Sequence, residues 1–541
     1  MTNKESNIIK DSCYSQEQGS KLATSTQNEP ISSNKRIAKN AIMLYIRMFF
    51  STIVSLYTSR VVLNTLGVED FGIYNVVGCF VSMFSLISSS ISSSISRFIT
   101  YEIGTGNIEQ LKKIFSTSIT ILIIISILIC VIAEILGLWF LNNKLEIASD
   151  RMLAAQWVFH CSLISLVVSL ISLPYNACII AHEKMGAFAC ISIIEVFLKL
   201  IFVYLLLISP FDKLITYAII GVIIAIIIRF VYVWYCTKNF VECNNYEFVL
   251  DRSLFKQMFS FASWELVGCS AGVLREQGGN ILMNLFTKST VVNAASGIAS
   301  TIIGLVSSFV NNFTTAFTPQ IIKLYAAKKF NELINLVYMG SKFAPFLMLL
   351  LALPIFFNAR FILELWLGIV PEHTVNFVLI TILFMFNEII SRPLITAKLA
   401  TGAIKNYELI VGGVLLLTLP IAYVALMLGA PVEAVFLAKV LTSVIATFVR
   451  LYMLREDIPC LSISDFIKNV YFRVIYVGIV AAILPTISYM YISNQVLQFV
   501  ITSIIAIIST IISVYFIGCT KNEQTQIRNY VSKFKTRIFS L

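Results

Sequence analysis

Apolar runs long enough to cross a bilayer recur along the whole chain, at residues 37–63, 71–97, 113–142, 152–181, 186–209, 213–236, 254–286, 291–318, 332–357, 373–401, 405–428, 431–454, 469–492 and 495–518. A helix needs about 20 apolar residues to cover a hydrocarbon core of roughly 30 Å, and each run meets that length. Barrel strands would alternate with period two over about ten residues, whereas residues 119–133 (ITILIIISILICVIA) are apolar on every side. The pattern predicts an all-α polytopic membrane protein of about 14 spans.

The first twelve spans read as six followed by six. Asn64 precedes Asp70-Phe71-Gly72-Ile73-Tyr74, a Ser-rich helix, a basic turn and the run Asn107-Ile108-Glu109-Gln110-Leu111. Asn284 likewise precedes Thr290-Val291-Val292, a helix of small residues, Pro319, Lys328, Lys329 and Phe330-Asn331-Glu332-Leu333. In the fourth span Pro174 is followed by Ala181 and Lys184; in the tenth, Pro393 is followed by Ala400 and Lys405. An even number of spans per repeat makes the halves parallel, related by an axis along the membrane normal. Two six-helix lobes around a V-shaped central cavity are therefore expected, an architecture of transporters, with two further C-terminal helices.

The expected domains are a disordered tail (1–36), an N-lobe (37–236), a linker (237–253), a C-lobe (254–454), a segment holding the last two spans (455–519) and a basic tail (520–541). Composition agrees with a membrane solvent: 58% of residues are hydrophobic and 13% charged, and the mean hydropathy is +0.85. Soluble domains carry about 25% charged residues. Loops on one side, together with both tails, hold roughly 25 Lys and Arg, against about five (Lys144, Arg151, Lys213, Lys288, Arg360) on the other. That bias puts both termini in the cytoplasm, with no cleavable signal ahead of the first span. The formal charge of +11 then reflects topology and contact with anionic lipids, and no nucleic-acid partner is needed. Most of the eleven cysteines, Cys79, Cys130, Cys161, Cys178, Cys190 and Cys269 among them, lie within spans and form no CxxC pair. They read as small packing residues.

Charges within spans are costly and usually face protein or water, so they point to the site. In the first span Asn40, Arg47, Ser51, Ser55 and Thr58 fall within about 80° of a helical wheel. Arg47 lies roughly 15 Å deep, where a planar guanidinium suits bidentate phosphate or carboxylate binding. Snorkelling or pairing with a nearby Glu is the alternative; for Arg60, near the rim, snorkelling is the expectation. In the seventh span Glu265, Gly268, Gly272, Arg275, Glu276 and Gly279 share a face of about 100°. This face either lines the cavity or buries an Arg275–Glu ion pair between close helices. Candidate substrate contacts are thus Arg47, Ser51, Ser55 and Arg275; candidate ion-coupling carboxylates are Glu265, Glu276 and Glu388. Glu195 with Lys199, and Glu388 with Arg392, have the spacing of helical ion pairs. The run Ser88–Ser96 reads as a close-packing surface, and Pro174 and Pro393 as candidate hinges.

The segment GVEDFGIYNVVGCFVSMFSLISSSISSSISRFITYEIGTGNIEQLKKIF (67–115), with the proline-bearing fourth and tenth spans, resembles the polysaccharide or O-antigen flippases of the multidrug/oligosaccharidyl-lipid/polysaccharide (MOP) exporter superfamily. The resemblance covers 37–454. It implies two lobes that rock to alternate access in a bacterial inner membrane. The implied substrate is an undecaprenyl-pyrophosphate-linked oligosaccharide used for surface polysaccharide, with proton or sodium coupling, no bound cofactor, and polysaccharide polymerase machinery as a neighbour. Two other classes compete. A cation-coupled multidrug exporter of the same superfamily would favour a carboxylate- and aromatic-lined cavity, yet Arg and Lys are as numerous here among the deep charges as Glu. A membrane polymerase or acyltransferase needs a large outer loop or an acid/base constellation, but connections are short and His160, His182 and His373 are scattered. No GxxxxGK[ST] phosphate loop is present.

Overall fold

The computed structural model describes residues 29–82, 84–143, 150–208, 210–244, 246, 251–288, 290–367, 370–492, 494–525 and 528. Most of the expected basic C-terminal tail, and residues 1–28 of the expected N-terminal one, lie outside these. Residues 29–36, expected to be part of a disordered tail, instead begin the first helix.

The chain forms α1 (Glu29–Ser82), α2 (Ser85–Thr105), α3 (Ile108–Asn143), α4 (Met152–Ala181), α5 (Met185–Ile208), α6 (Lys213–Asn239), α7 (Arg252–Thr287), α8 (Thr290–Ala326), α9 (Phe330–Leu367) and α10 (Thr374–Thr401). It continues with α11 (Lys405–Met427), α12 (Ala434–Asp457), α13 (Ile463–Tyr491) and α14 (Gln495–Gly518). α1 contains the first span and, beyond Gly67, the start of the second, which α2 completes. Gly67 sits at φ 80°, ψ 171°, a conformation open to glycine and costly for any residue with a Cβ, so the reversal falls there. Polar caps mark other ends. Asp212 accepts from the N–H groups of Leu214 and Ile215, Asp251 from Ser253 and Leu254, and Asn494 from Val496 and Leu497.

Among the described residues, eleven helices are long and apolar enough to cross a membrane. Large apolar side chains such as Phe230, Trp234, Leu365 and Met490 point outward, the surface of a protein whose solvent is hydrocarbon. This is a multi-pass membrane protein.

The packing repeats with an offset of six helices. α1 packs on α5 as α7 does on α11, α2 on α4 as α8 on α10, α3 on α4 as α9 on α10, and α4 on α6 as α10 on α12. The starts of α4, α5 and α6 at residues 152, 185 and 213 answer those of α10, α11 and α12 at 374, 405 and 434. The expected duplication is thus a structural one. Each lobe has its own core, around Ile95, Phe115 and Leu122 in one and Met348, Phe377 and Phe436 in the other. A third core joins the lobes, bringing Ala41 and Leu44 of α1 and Met185 of α5 against Phe317, Ile321 and Leu394. α13 and α14 form a hairpin seated on α9, where Phe346 fills the space beside Gly518 and Lys342 pairs with Glu523 at 2.7 Å.

Pro174 and Pro393 are buried within continuous helices at corresponding places in the two lobes. Among the described residues, backbone leaves helical values inside a helix at Gly67 and at Asn358 instead.

Candidate functional site

Helices α1 and α8 meet where their polar residues face one another. Arg47 Nη2 donates to Asn312 Oδ1 at 3.2 Å, and its guanidinium lies 4.6 Å from the centre of the Phe188 ring. Asn312 also reaches Met48, and the Tyr45 ring meets that of Phe309 at 4.5 Å, tilted by 34°. No carboxylate bonds Arg47 among the described residues, so both expected alternatives, a Glu partner and a retreat to the surface, give way to a half-buried cation held by an amide and a ring. Ser51 is half-buried and Ser55 exposed on the same helix, whereas Asn40 is buried.

Two latches join the lobes at the face where α1 begins, here termed the terminal face. On one side Arg97 of α2 donates to the carbonyls of Leu399 and Ala400 at 3.2 and 3.0 Å, closing the C-terminal end of α10. On the other, Glu183 in the turn between α4 and α5 accepts from Lys323 Nζ of α8 at 2.8 Å and from Gln320 at 3.1 Å. The repeat relates them: a cation on α2 meets the turn after α10, and a cation on α8 meets the turn after α4. Between them Ser94 Oγ donates to the Met258 carbonyl at 3.1 Å, and Phe98 meets Phe261 edge to face. The Ser-rich run is the close-packing surface expected of it, with Ser90 and Ser94 buried. These contacts lie in the half of the molecule nearer the terminal face. Gly402 permits the Arg97 latch twice over: its φ is +79°, and a Cβ there would stand 2.5 Å from Arg97 Nη2. Gly402→Ala is expected to cost about 1–2 kcal/mol in backbone strain alone, and to displace Arg97. A lowered thermal midpoint, together with faster cross-linking across the opened terminal face, checks this.

The α7 face turns into the C-lobe. Arg275 is buried, with Nη1 3.8 Å from Glu388 Oε1 and the guanidinium 4.9 Å from the Phe384 ring centre. The ion-pair alternative for Arg275 is the one realised. Glu276 accepts from Lys439 Nζ at 2.9 Å, and Lys439 is 1% exposed. Glu388 accepts from Ser443 at 2.7 Å; it turns across to α12 and α7, not to Arg392, because tertiary partners outcompete a neighbour one turn away whose side chain is exposed. Glu195 and Lys199 do form their helical pair at 2.7 Å. Arg450 joins the same region, close to Tyr407 and Glu388.

One carboxylate of this face stands apart. Glu265 has a buried Oε2 without a hydrogen-bond partner, while Ser93 of α2 lies within reach of its carboxyl group. Glu408 of α11 presses its carboxylate against Gly268 so closely that a Cβ there would lie 1.7 Å from Oε2, and the two acids repel each other. The two carboxylates thus lie near each other, one of them in reach of the opposite lobe.

Sequence reasoning had marked Arg47, Arg275, Glu265, Glu276 and Glu388 but not Arg97, Glu183, Glu408, Lys439 or Arg450. An acid or base inside an apolar run was the available signal for Glu408, Lys439 and Arg450. Nothing in the sequence pairs Arg97 with a helix end 302 residues away.

A family model described as polysaccharide biosynthesis protein matches residues 37–325, more than half of the chain. The chain belongs to that family. Its fold is that of the MOP transporters. It is similar to an outward-facing multidrug resistance MATE family transporter of the MOP superfamily, with 15% identity and a TM-score of 0.64 over 81% of this chain and 100% of the other. A MATE transporter of Vibrio cholerae aligns with 18% identity and a TM-score of 0.64 over 79% and 98% of the two chains. A MOP superfamily transporter from Pyrococcus furiosus, described as having a binding pocket of reverse polarity, aligns with 15% identity and a TM-score of 0.62 over 81% and 99%. No curated protein matches the chain.

Proposed function

We propose that this member of the polysaccharide biosynthesis family is a flippase. It moves polyprenyl-pyrophosphate-linked oligosaccharides across a bacterial cytoplasmic membrane by alternating access, with both termini in the cytoplasm. The observation that carries the reading is Arg47: a deep cation at the junction of the lobes, held by an amide and an aromatic ring with no carboxylate bonded to it among the described residues. Such a cation has its charge to offer, and a pyrophosphate is the anion that a planar guanidinium binds bidentately. Ser51 and Ser55 continue the polar line toward the opposite face and suit sugar hydroxyls. The lipid tail stays in the bilayer.

In this reading the latches at Arg97 and Glu183 hold the lobes together in the cytoplasmic half and part when the inward-open state forms. Rocking of one lobe against the other exchanges outward- and inward-open states. Arg275 acts within the C-lobe by holding Glu388, while Lys439 holds Glu276. The paired acids Glu265 and Glu408 carry the coupling proton, because neutralising either relieves their repulsion beside α2. Anionic lipids contact the basic cytoplasmic loops, and the polymerase that consumes the flipped glycan is the expected neighbour in the membrane. A cationic drug would meet the Arg47 charge unfavourably.

The test is leaflet exchange in liposomes of a labelled polyprenyl-pyrophosphate oligosaccharide. Protein-dependent exchange is expected. Gradient-driven movement of a small organic cation without glycan exchange would replace this reading with drug export.

A further inference from the structure

At the terminal-face end of the N-lobe, beside the turn that carries Glu183, three cysteines and a glutamate converge. Cys178 lies in the last turn of α4, Cys236 in the last turn of α6, and Glu242 and Cys243 in the 3-10 turn Val241–Cys243 that begins the linker to the C-lobe. All four are buried, with exposures of 0%, 0%, 5% and 4%. The Sγ atoms of Cys178 and Cys243 and a carboxylate oxygen of Glu242 lie within 4.8 Å of one another. The Cys243 thiol is also within hydrogen-bonding reach of both Cys178 and Cys236.

The surroundings are those of a ligand set, not of ordinary packing. Glu242 Oε1 is bonded by His182 Nε2 at 2.6 Å, and the His182 ring is stacked on Phe240 at 4.3 Å and 9°. One carboxylate oxygen is thereby fixed, and its mate is left for the thiols. Carboxylate ligands of metals are commonly oriented by such outer hydrogen bonds. Arg229 has a buried Nη1 with no hydrogen-bond partner and lies close to Tyr175, which itself borders the three thiols. A cation there offsets the negative charge that three thiolates and a carboxylate would bring.

We infer that Cys178, Cys236, Cys243 and Glu242 form a structural zinc site. A tetrahedral ion with Zn–S bonds of about 2.3 Å sets its sulfurs roughly 3.8 Å apart; Cys178, Cys243 and Glu242, within 4.8 Å of one another, need only contract, while Cys236, whose Sγ donates to the Tyr175 carbonyl at 3.5 Å, has to turn from that bond to complete the set. Three thiolates with one oxygen suit zinc better than calcium or magnesium, which take oxygen ligands. Binding expels the three thiol protons to solvent and leaves Zn(II) unchanged in oxidation state. Four protein ligands in a buried setting leave no open position, so the ion holds together the ends of α4 and α6 and the start of the interlobe linker.

The experiment uses the full-length protein purified in detergent. Elemental analysis is expected to find about one zinc per chain, falling roughly tenfold or more in Cys178→Ser/Cys243→Ser. The Cys190→Ser control, outside the cluster, keeps its metal. Independently of any variant, cobalt(II) added to chelator-stripped wild-type protein is expected to give thiolate-to-cobalt charge-transfer and tetrahedral d–d bands. Full metal content in the double variant would overturn the inference. So would a wild-type protein that neither carries zinc nor develops these bands.

Discussion

Arg47→Ala is expected to abolish exchange of a pyrophosphate-linked glycan between leaflets while leaving expression and the helical fold intact. The side chain holds one hydrogen bond to Asn312 and one ring contact, and it bonds no described carboxylate, so its removal leaves no buried counter-charge behind. The loss falls on the ligand. Truncating one partner of a desolvated charge pair costs about 2–5 kcal/mol, a fall in transport efficiency of roughly 30-fold or more. Arg47→Lys keeps the charge but loses the planar fork, so an intermediate loss is expected. Asn312→Ala removes only the group that orients the guanidinium, and its effect is expected to be smaller than that of Arg47→Ala. Normal exchange in Arg47→Ala would remove the residue from the mechanism.

The second large effect concerns coupling. Glu265→Gln and Glu408→Gln each replace one of two repelling carboxylates by a neutral amide of the same shape. In the proposed cycle a proton bound from the acidic side neutralises one acid of the pair and removes the repulsion, and its departure restores that repulsion beside Ser93 of α2. Either amide imitates the protonated state at every pH. Gradient-stimulated exchange is expected to fall by roughly tenfold, in line with coupling energies of about 1–3 kcal/mol, while exchange without a gradient persists. Substrate binding measured in detergent should lose its pH dependence in the same variants. Glu276→Gln serves as contrast: that acid already has Lys439 at 2.9 Å, and its loss strands a buried cation, so lowered thermal stability is expected there instead.

How far the sequence carried the account depends on whether a feature is periodic along one helix or made between helices. The spans, the six-plus-six repeat and the Arg47 stripe were legible because hydrophobic length and the 3.6-residue turn act locally. The fate of the α7 face was not. A helical wheel shows that Glu265, Arg275 and Glu276 share a side, but not that α10, α11 and α12 supply Glu388, Glu408 and Lys439 against it. Glu388 illustrates the limit: local spacing offered Arg392, and the fold gave it Ser443 and Arg275. The latches were invisible for the same reason, since Arg97 binds backbone carbonyls that any residue could supply. The thiol cluster likewise joins two helix ends and a turn, so the spacing of its cysteines carries no motif.

The most direct measurement is leaflet exchange in proteoliposomes of a fluorescent polyprenyl-pyrophosphate oligosaccharide, comparing wild-type protein with Arg47→Ala under an imposed proton gradient. The account predicts rapid, gradient-stimulated exchange by the wild type and background exchange by the variant. Equal exchange by the two proteins, or none above protein-free liposomes for the wild type, would contradict it.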